Sequence, residues 1–141
     1  MSKGNNTENN ILKLIFNATT WADMAENDTT GPSANLTVAL HTADPGEAGT
    51  QSTSETAYTG YARINVARTT GGWTVTNNSV SPVAAITFGE CTAAAGGPIT
   101  HASIGTGVAN ELLYSGAVTP NITMAVGVQP VLKTTSTITE D

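Results

Sequence analysis

Apolar residues near the start of the chain recur with the spacing of an α-helix. Thr7 is the predicted N-cap, and Glu8 places a carboxylate in the first turn, where the helix dipole favours it. The three- and four-residue spacing that follows places Ile11, Leu14 and Ile15 on a common face, with Leu12 and Phe16 beside them. The pattern predicts a polar arm over residues 1–7 and then a short amphipathic helix that ends near Asn17.

After a predicted loop over residues 25–35, the apolar period changes from helical to alternating, which is typical of half-buried strands. Strands are predicted over residues 36–41, 61–69, 73–76, 83–88, 99–105, 112–119, 122–126 and 131–139. Pro45-Gly46 predicts a tight turn, because proline presets φ and glycine accepts a positive φ at the next position. Gly71-Gly72 predicts a hairpin turn between the second and third strands. The segment 47–56 is polar and predicts a surface loop.

Evenly spaced strands, glycine-containing turns and a single leading helix indicate an all-β fold. The expected architecture is an antiparallel β-sandwich of jelly-roll or immunoglobulin-like type with a short N-terminal α-helix. The length of 141 residues fits one domain. We therefore expect a single sandwich domain over residues 1–141, with an N-terminal arm and helix over about residues 1–25. Trp73 alternates with Val75 after a glycine turn, which is typical of a core anchor.

Charge excludes one class of function and favours another. The chain has 5 basic and 11 acidic side chains, and the basic ones are scattered, so no positive patch for nucleic acid is expected. The apolar cluster at residues 11–16 is too short to span a bilayer, and the polar start lacks a secretory signal, so synthesis and retention in a cytosol are expected. Charged residues make up 11% of the chain, against about 25% in typical domains. A surface of Thr, Asn, Ser and Gly suits contact with other protein.

The residue types that carry chemistry form no recognisable active-site pattern. His41 and His101 fall inside predicted strands, and we interpret both as solvent-facing, with no spacing that indicates a metal site. Asp44 and Glu47 flank the Pro-Gly turn and are interpreted as turn residues. Cys91 is the single cysteine, so no intrachain disulfide can form, and it is predicted to be a half-buried thiol. We expect no enzymatic activity, no cofactor and no bound metal, and we expect His41, Asp44, Cys91 and His101 to be individually replaceable.

Several segments resemble small bacteriophage virion structural proteins that are often labelled tail fibre protein. The resemblance is carried by LTVALHTADPGEAG at residues 36–49, YTGYARINVAR at 58–68, GWTV at 72–75, ITHASIG at 99–105, LLYSG at 112–116 and ITED at 138–141. Together with the leading NNILKLIF segment, it extends from about residue 8 to the end. In size and predicted fold, proteins of this type are similar to the cement proteins that lie over major-capsid junctions. The resemblance supplies no catalytic residues.

The resemblance implies a virion structural protein, and the leading hypothesis is a capsid cement or decoration subunit. Such a subunit would bind the outer capsid surface, contact the major capsid protein and its own copies as a homodimer or homotrimer, and stabilise the shell by mass action. The alternative is a tail or tail-fibre component that contacts the host or the tail, and a third hypothesis is a carbohydrate-binding sandwich. Because the strands already supply a core, an additional interface is expected at the N-terminal segment. Its residues are Ile11, Leu14, Ile15 and Trp21.

Overall fold

The computed structural model describes residues 5–21, 33–107 and 110–140 of the chain. These residues form one helix and nine short strands. The elements are α1 (Asn5–Asn17), β1 (Asn35–His41), β2 (Ile64–Ala67), β3 (Trp73–Thr76), β4 (Ser79–Pro82), β5 (Ile86–Thr87), β6 (Ile99–Gly105), β7 (Leu112–Ile122), β8 (Val131–Leu132) and β9 (Ile138–Thr139). The predicted fold class, antiparallel β-sheets with one short N-terminal helix, is confirmed, and a sandwich-like arrangement is compatible with it.

The chain forms two compact units. The first unit comprises Met1–Asn35, Val66–Ile86 and Leu132–Asp141, and the second comprises Leu36–Asn65 and Thr87–Val131. Each unit is described by itself below. The expectation of a single domain over residues 1–141 stays a prediction.

The first unit places α1 against a β-hairpin. β3 and β4 pair antiparallel, with Trp73 opposite Pro82, and β4 also pairs with β9. Leu12 and Phe16, four residues apart on α1, are fully buried, and Trp73 is 2% exposed. The rings of Phe16 and Trp73 meet edge to face with centroids 4.9 Å apart, a preferred aromatic geometry. The large side chains of the helix and the hairpin therefore form the core of this unit.

The second unit is organised around β1. The sheet order is β2-β1-β6-β7, and β6 pairs antiparallel with both β1 and β7. Every residue of β1 after Asn35 is buried, so both faces of this strand are covered. Alternation within β1 places Leu36, Val38 and Leu40 on one face, whereas Thr37 and His41 share the other with Ala39. The strand therefore buries polar side chains as well as apolar ones.

Several predicted boundaries are wrong, and short-range chemistry explains most of the differences. The helix begins at Asn5, so residues 5–7 are helical and Thr7 is not the N-cap, whereas residues 1–4 lie outside the described part of the chain. Residues 25–32 of the predicted loop at 25–35 also lie outside the described part of the chain, and Asn35 already belongs to β1. The strand predicted at 61–69 shortens to β2, because a turn closed by the N–H of Gly72 and the carbonyl of Thr69 follows it. Gly71-Gly72 is not a hairpin turn, since β2 and β3 belong to different sheets.

The later strands also differ from the prediction. β4 was not predicted, because it holds a single large apolar residue, Val80, among serines and a proline. The strand predicted at 112–119 forms and continues as β7 to Ile122, whereas the strand predicted at 122–126 is wrong beyond its first residue. Only residues 86–87 of the strand predicted at 83–88 pair, as β5. The strand predicted at 131–139 divides into β8 and β9, because a turn with a hydrogen bond from the Ser136 N–H to the Lys133 carbonyl interrupts it.

Replacement of Trp73 by Ala tests the core of the first unit. Removal of a buried indole that contacts Phe16 is expected to lower the free energy of unfolding by roughly 3–5 kcal/mol, because the transfer and cavity terms add. Urea denaturation of the purified protein measures this change. Thr74→Ala, at an exposed neighbouring position, is the control and should stay within about 0.5 kcal/mol of the wild type. A Trp73→Ala protein that melts within a degree or two of the wild type would contradict the core assignment.

Candidate functional sites

The side chains predicted to form an interface lie on or just after α1. Ile11, Leu14 and Ile15 are half-buried on the helix, and Trp21 is half-buried four residues beyond its end. Leu12 and Phe16, which the prediction placed beside these residues on the same helix, are fully buried in the core of the first unit. The helix therefore carries two groups of apolar residues, one enclosed and one partly accessible. Contact of the second group with another subunit stays a prediction.

Arg68 holds the end of α1 in place. The last turn of the helix contains no basic residue, and the final carbonyls of any helix have no partner within it. The Arg68 Nε atom donates to the carbonyl of Ile15 at 2.6 Å, and its Nη2 atom donates to the carbonyl of Leu14 at 2.8 Å. A cation at this end also interacts favourably with the helix dipole. Burial lowers the pKa of Arg68, but a guanidinium remains charged in proteins.

The two histidines are not equivalent, which corrects the interpretation that both face solvent. His41 on β1 is fully buried, and His101 on β6 is half-buried. The two residues are directly opposite in the antiparallel register. His41 is enclosed because the segment 53–56 covers the end of β1, where the Thr56 N–H donates to the Leu40 carbonyl. In the described part of the chain, no three His, Cys, Asp or Glu side chains lie close enough to hold a metal ion.

The turn and the cysteine are close to their predictions. Gly46 has a φ of +70°, as the turn interpretation requires, and its N–H donates to Asp44 Oδ1 at 2.9 Å. Asp44 therefore closes a turn. Cys91 is fully buried, deeper than the half-buried thiol that was predicted, and its Sγ atom lies 3.7 Å from the carbonyl oxygen of Ala94.

Buried polar side chains form a continuous hydrogen-bonded chain around His41. The Nδ1 atom lies 2.9 Å from the carbonyl of Thr53, and since a carbonyl can only accept, Nδ1 carries the proton of the neutral ring. Nε2 therefore accepts from the Ser103 hydroxyl at 2.7 Å. Ser103 accepts from Gln51 Nε2 at 3.3 Å, and the same amide donates to the Thr37 carbonyl at 2.8 Å. Each member thus fixes the donor and acceptor roles of the next.

Gly105 leaves the space that the Gln51 amide occupies. A Cβ atom at this position would lie 2.4 Å from Gln51 Cδ and 2.2 Å from the carbonyl of Glu111. No side chain can be accommodated there without displacing the amide. The Gln51 Oε1 atom has no donor within the described residues. Glycine at the end of β6 is therefore a requirement of the buried hydrogen-bonded chain.

A second polar cluster joins Glu55, Tyr61 and Arg63. Arg63 binds the carboxylate with two parallel hydrogen bonds of 2.7 Å, and the Tyr61 hydroxyl donates to Oε1 at 2.7 Å. The same hydroxyl accepts from the Leu40 N–H at 3.1 Å, which connects the cluster to β1. Burial alone would raise the pKa of Glu55, but the hydrogen bonds from Arg63 and Tyr61 outweigh it and lower the pKa. Burial, together with the neighbouring carboxylate, raises the pKa of Tyr61.

Sequence patterns did not indicate these clusters. The segment 47–56 was predicted to be a surface loop, yet Gln51 is fully buried and Thr56 is 3% exposed. The alternation in β1 correctly separated Thr37 and His41 from the apolar face. It could not show that the polar face would also be covered, because the covering segment has no apolar period of its own.

The buried His41 makes stability depend on pH. Burial lowers its pKa below the ordinary value of about 6.5, with a smaller opposing effect from the Thr53 carbonyl. Between pH 6.5 and the folded-state pKa, the unfolded chain binds the proton and the folded chain does not. Stability should therefore fall as the pH falls through this window, by no more than about 1.4 kcal/mol per pH unit for one proton. The physical reason is that burial disfavours the charged imidazolium, and a protonated Nε2 also can no longer accept from Ser103.

Urea denaturation from pH 8 to pH 5 measures this dependence, and the slope, rather than the absolute stability, is compared between variants. His41→Gln should remove the slope, and the control His101→Gln should retain it. The titration of Glu55 adds to the slope of stability against pH only below about pH 4.5, outside the measured range, because folding lowers its pKa from that ordinary value. An unchanged slope in His41→Gln would contradict the assignment.

The chain is similar to one family of phage proteins. A family model described as Podophage GP4 fiber I protein gp80 matches residues 2–139. No curated protein matches the chain. The resemblance to small phage virion structural proteins is confirmed by the family match. Among the described residues, no helix has the length and apolar character needed to cross a membrane.

Proposed function

The chain belongs to the podophage GP4 fiber I protein gp80 family, and from that membership we propose that it is a non-enzymatic structural subunit of the fibre apparatus. A phage protein of this family is a structural component of the virion. The match over residues 2–139 carries the proposal, because it includes nearly all of both compact units.

A purely structural role is supported by the burial of the one arrangement that resembles a catalytic pair. Ser103 and His41 lie within hydrogen-bond distance, as a nucleophile and its base would. However, His41 is fully enclosed and Ser103 is 2% exposed, so a substrate has no approach to either. The pair is satisfied by Gln51 and Thr53 and acts as internal support for β1.

The proposed partners are proteins. The chain has 5 basic side chains, and two of them are already used internally, since Arg63 binds Glu55 and Arg68 binds the end of α1. What remains cannot form the positive patch that nucleic acid or an anionic membrane surface attracts. We infer contacts with other fibre or virion proteins and with copies of this chain, arranged as a closed homodimer or homotrimer.

A capsid cement role is the second candidate. It is favoured by the sequence, which lacks the repeats from which an extended fibre shaft is built. In this role the chain would lie on the outer capsid surface and bind the major capsid protein. The family description names a fibre protein, and for this reason the fibre location is our first proposal.

Copy number and position in the virion test the two candidates. Quantitative mass spectrometry of purified particles should give few copies per major capsid protein, and antibody-gold labelling should fall on the tail fibres. Dense labelling of the whole head, with copies comparable in number to capsomer junctions, would contradict the fibre proposal and support cement. Depletion of the antibody with purified protein controls for non-specific labelling.

Substitutions on α1 test the predicted interface. Deletion of the helix would also remove Leu12 and Phe16 from the core, so point variants are sharper. Ile11→Gln and Ile15→Gln change half-buried side chains and should cost the isolated protein about 1 kcal/mol or less. They should nevertheless lower incorporation into particles severalfold, because an interface loses its apolar contacts.

The matched control is Leu12→Ala on the same helix. It should lower the stability of the isolated protein by about 2–5 kcal/mol, so any loss of incorporation follows from unfolding. Incorporation is measured by immunoblotting of particles assembled with each variant. Wild-type incorporation of both isoleucine variants would exclude this face of α1 as an interface.

A further inference from the structure

A polar groove lies between α1 and the β3–β4 hairpin of the first unit. Its volume is about 750 Å³, within the range of small-molecule sites. The wall consists of four carboxamides, one carboxylate and one ammonium group, with Val75 as the apolar member. The polar side chains are Asn6, Asn9, Asn77, Asn78, Glu8 and Lys13.

Glu8 is the unusual member of this wall. It continues the stripe of Leu12 and Phe16 at four-residue spacing and is 6% exposed, so it occupies a position where a core residue would be expected. Among the described residues, no side chain or backbone group forms a hydrogen bond or ion pair with its carboxylate. The side chain lines the groove, and the first helical turn favours its negative charge.

The groove is held open by hydrogen bonds between its walls. Asn9 Nδ2 on the helix donates to the carbonyl of Asn77 in the hairpin turn. Asn77 has a φ of +55°, a conformation that asparagine adopts more readily than most residues. Asn78 Nδ2 donates to the carbonyl of Glu140, which fixes the other side of the turn. The wall is therefore preorganised, and the Glu8 carboxylate remains available to a ligand.

We propose that this groove binds a neutral oligosaccharide. Carboxamides both donate and accept hydrogen bonds, as sugar hydroxyls do, and Val75 offers apolar contact to the C–H face of a sugar ring. A carboxylate and an ammonium group in the same wall balance each other. The Glu8 carboxylate would repel an anionic ligand, and the Lys13 ammonium group would repel a cationic one.

This inference rests on the proposed fibre function, because a fibre subunit presents such a groove to the carbohydrate of a cell surface. A single groove of this kind binds weakly, since association must offset the freedom lost by the ligand. Several copies in one virion raise the effective affinity without any new contact.

The test uses the full chain and a panel of neutral tri- and tetrasaccharides built from glucose, galactose, mannose, rhamnose and N-acetylglucosamine. At least one should shift the side-chain amide NMR signals of Asn9 and Asn77, whereas glycerol at matched concentration should not. Glu8→Gln keeps the shape of the side chain but removes its charge. It should weaken binding tenfold or more, with a melting temperature equal to or above that of the wild type.

Lys133→Gln, an exposed position outside the groove, is the matched control and should bind as the wild type does. Asn6→Ala, at an exposed position of the groove wall, gives a second variant that should fold and bind more weakly even if Glu8→Gln does not fold. Failure of the whole panel, or equal binding by the wild type and both groove variants, would overturn the proposal. So would Ca²⁺ alone shifting the same amides in the wild type but not in Glu8→Gln, because this result would identify a cation site.

The outcome is separable from that of the fibre proposal. Antibody-gold labelling of the tail fibres combined with no saccharide binding would remove this inference and leave the fibre assignment intact. Labelling of the head together with saccharide binding that depends on Glu8 would remove the fibre assignment and leave this inference intact.

Discussion

The burial of polar side chains is the constraint on which the rest of this structure depends. The chain has few large apolar residues, with 2 Trp, 2 Phe and 3 Tyr among 141 positions. Enclosing the backbone therefore also encloses polar groups, and each needs a partner if the fold is to be stable. In the part of the chain that the structure describes, the buried polar residues are Glu8, Thr37, His41, Gln51, Thr56 and Ser103. Polar side chains that bind one another support the fold, whereas a polar side chain that lines a groove can bind a ligand.

In the second unit, the polar groups largely satisfy one another. His41, Ser103 and Gln51 form a chain whose ends are backbone carbonyls, and its donor directions follow from a single fixed proton on Nδ1. A connected network of this kind favours one arrangement of the strands over alternatives, although Gln51 Oε1 has no donor among the described residues. It also makes the unit sensitive to acid, since one proton reverses a donor and an acceptor. A nucleophile and a base in hydrogen-bond contact here support the fold.

The first unit treats its polar groups differently. Arg68 supplies donors to the end of α1, and the aromatic pair of Phe16 and Trp73 fills the core, whereas the Glu8 side chain lines the groove with no hydrogen-bond partner among the described residues. The α1 helix therefore contributes both to a half-buried apolar surface and to the wall of the groove.

The amino-acid sequence by itself determined the element types and the family resemblance. Helical spacing located α1, alternation located β1, β3 and β6 to within a residue, and Pro45-Gly46 specified a turn with positive φ, because these patterns depend on neighbours a few positions apart. Only the tertiary structure decided which polar positions are enclosed. His41 was expected in solvent and Gln51 on a loop, and both are buried because strand and loop residues far apart in the chain meet there. Packing on the hairpin likewise decided that Leu12 and Phe16 face the core whereas Ile11, Leu14 and Ile15 stay partly accessible, since the apolar pattern alone does not show which side of the helix is covered.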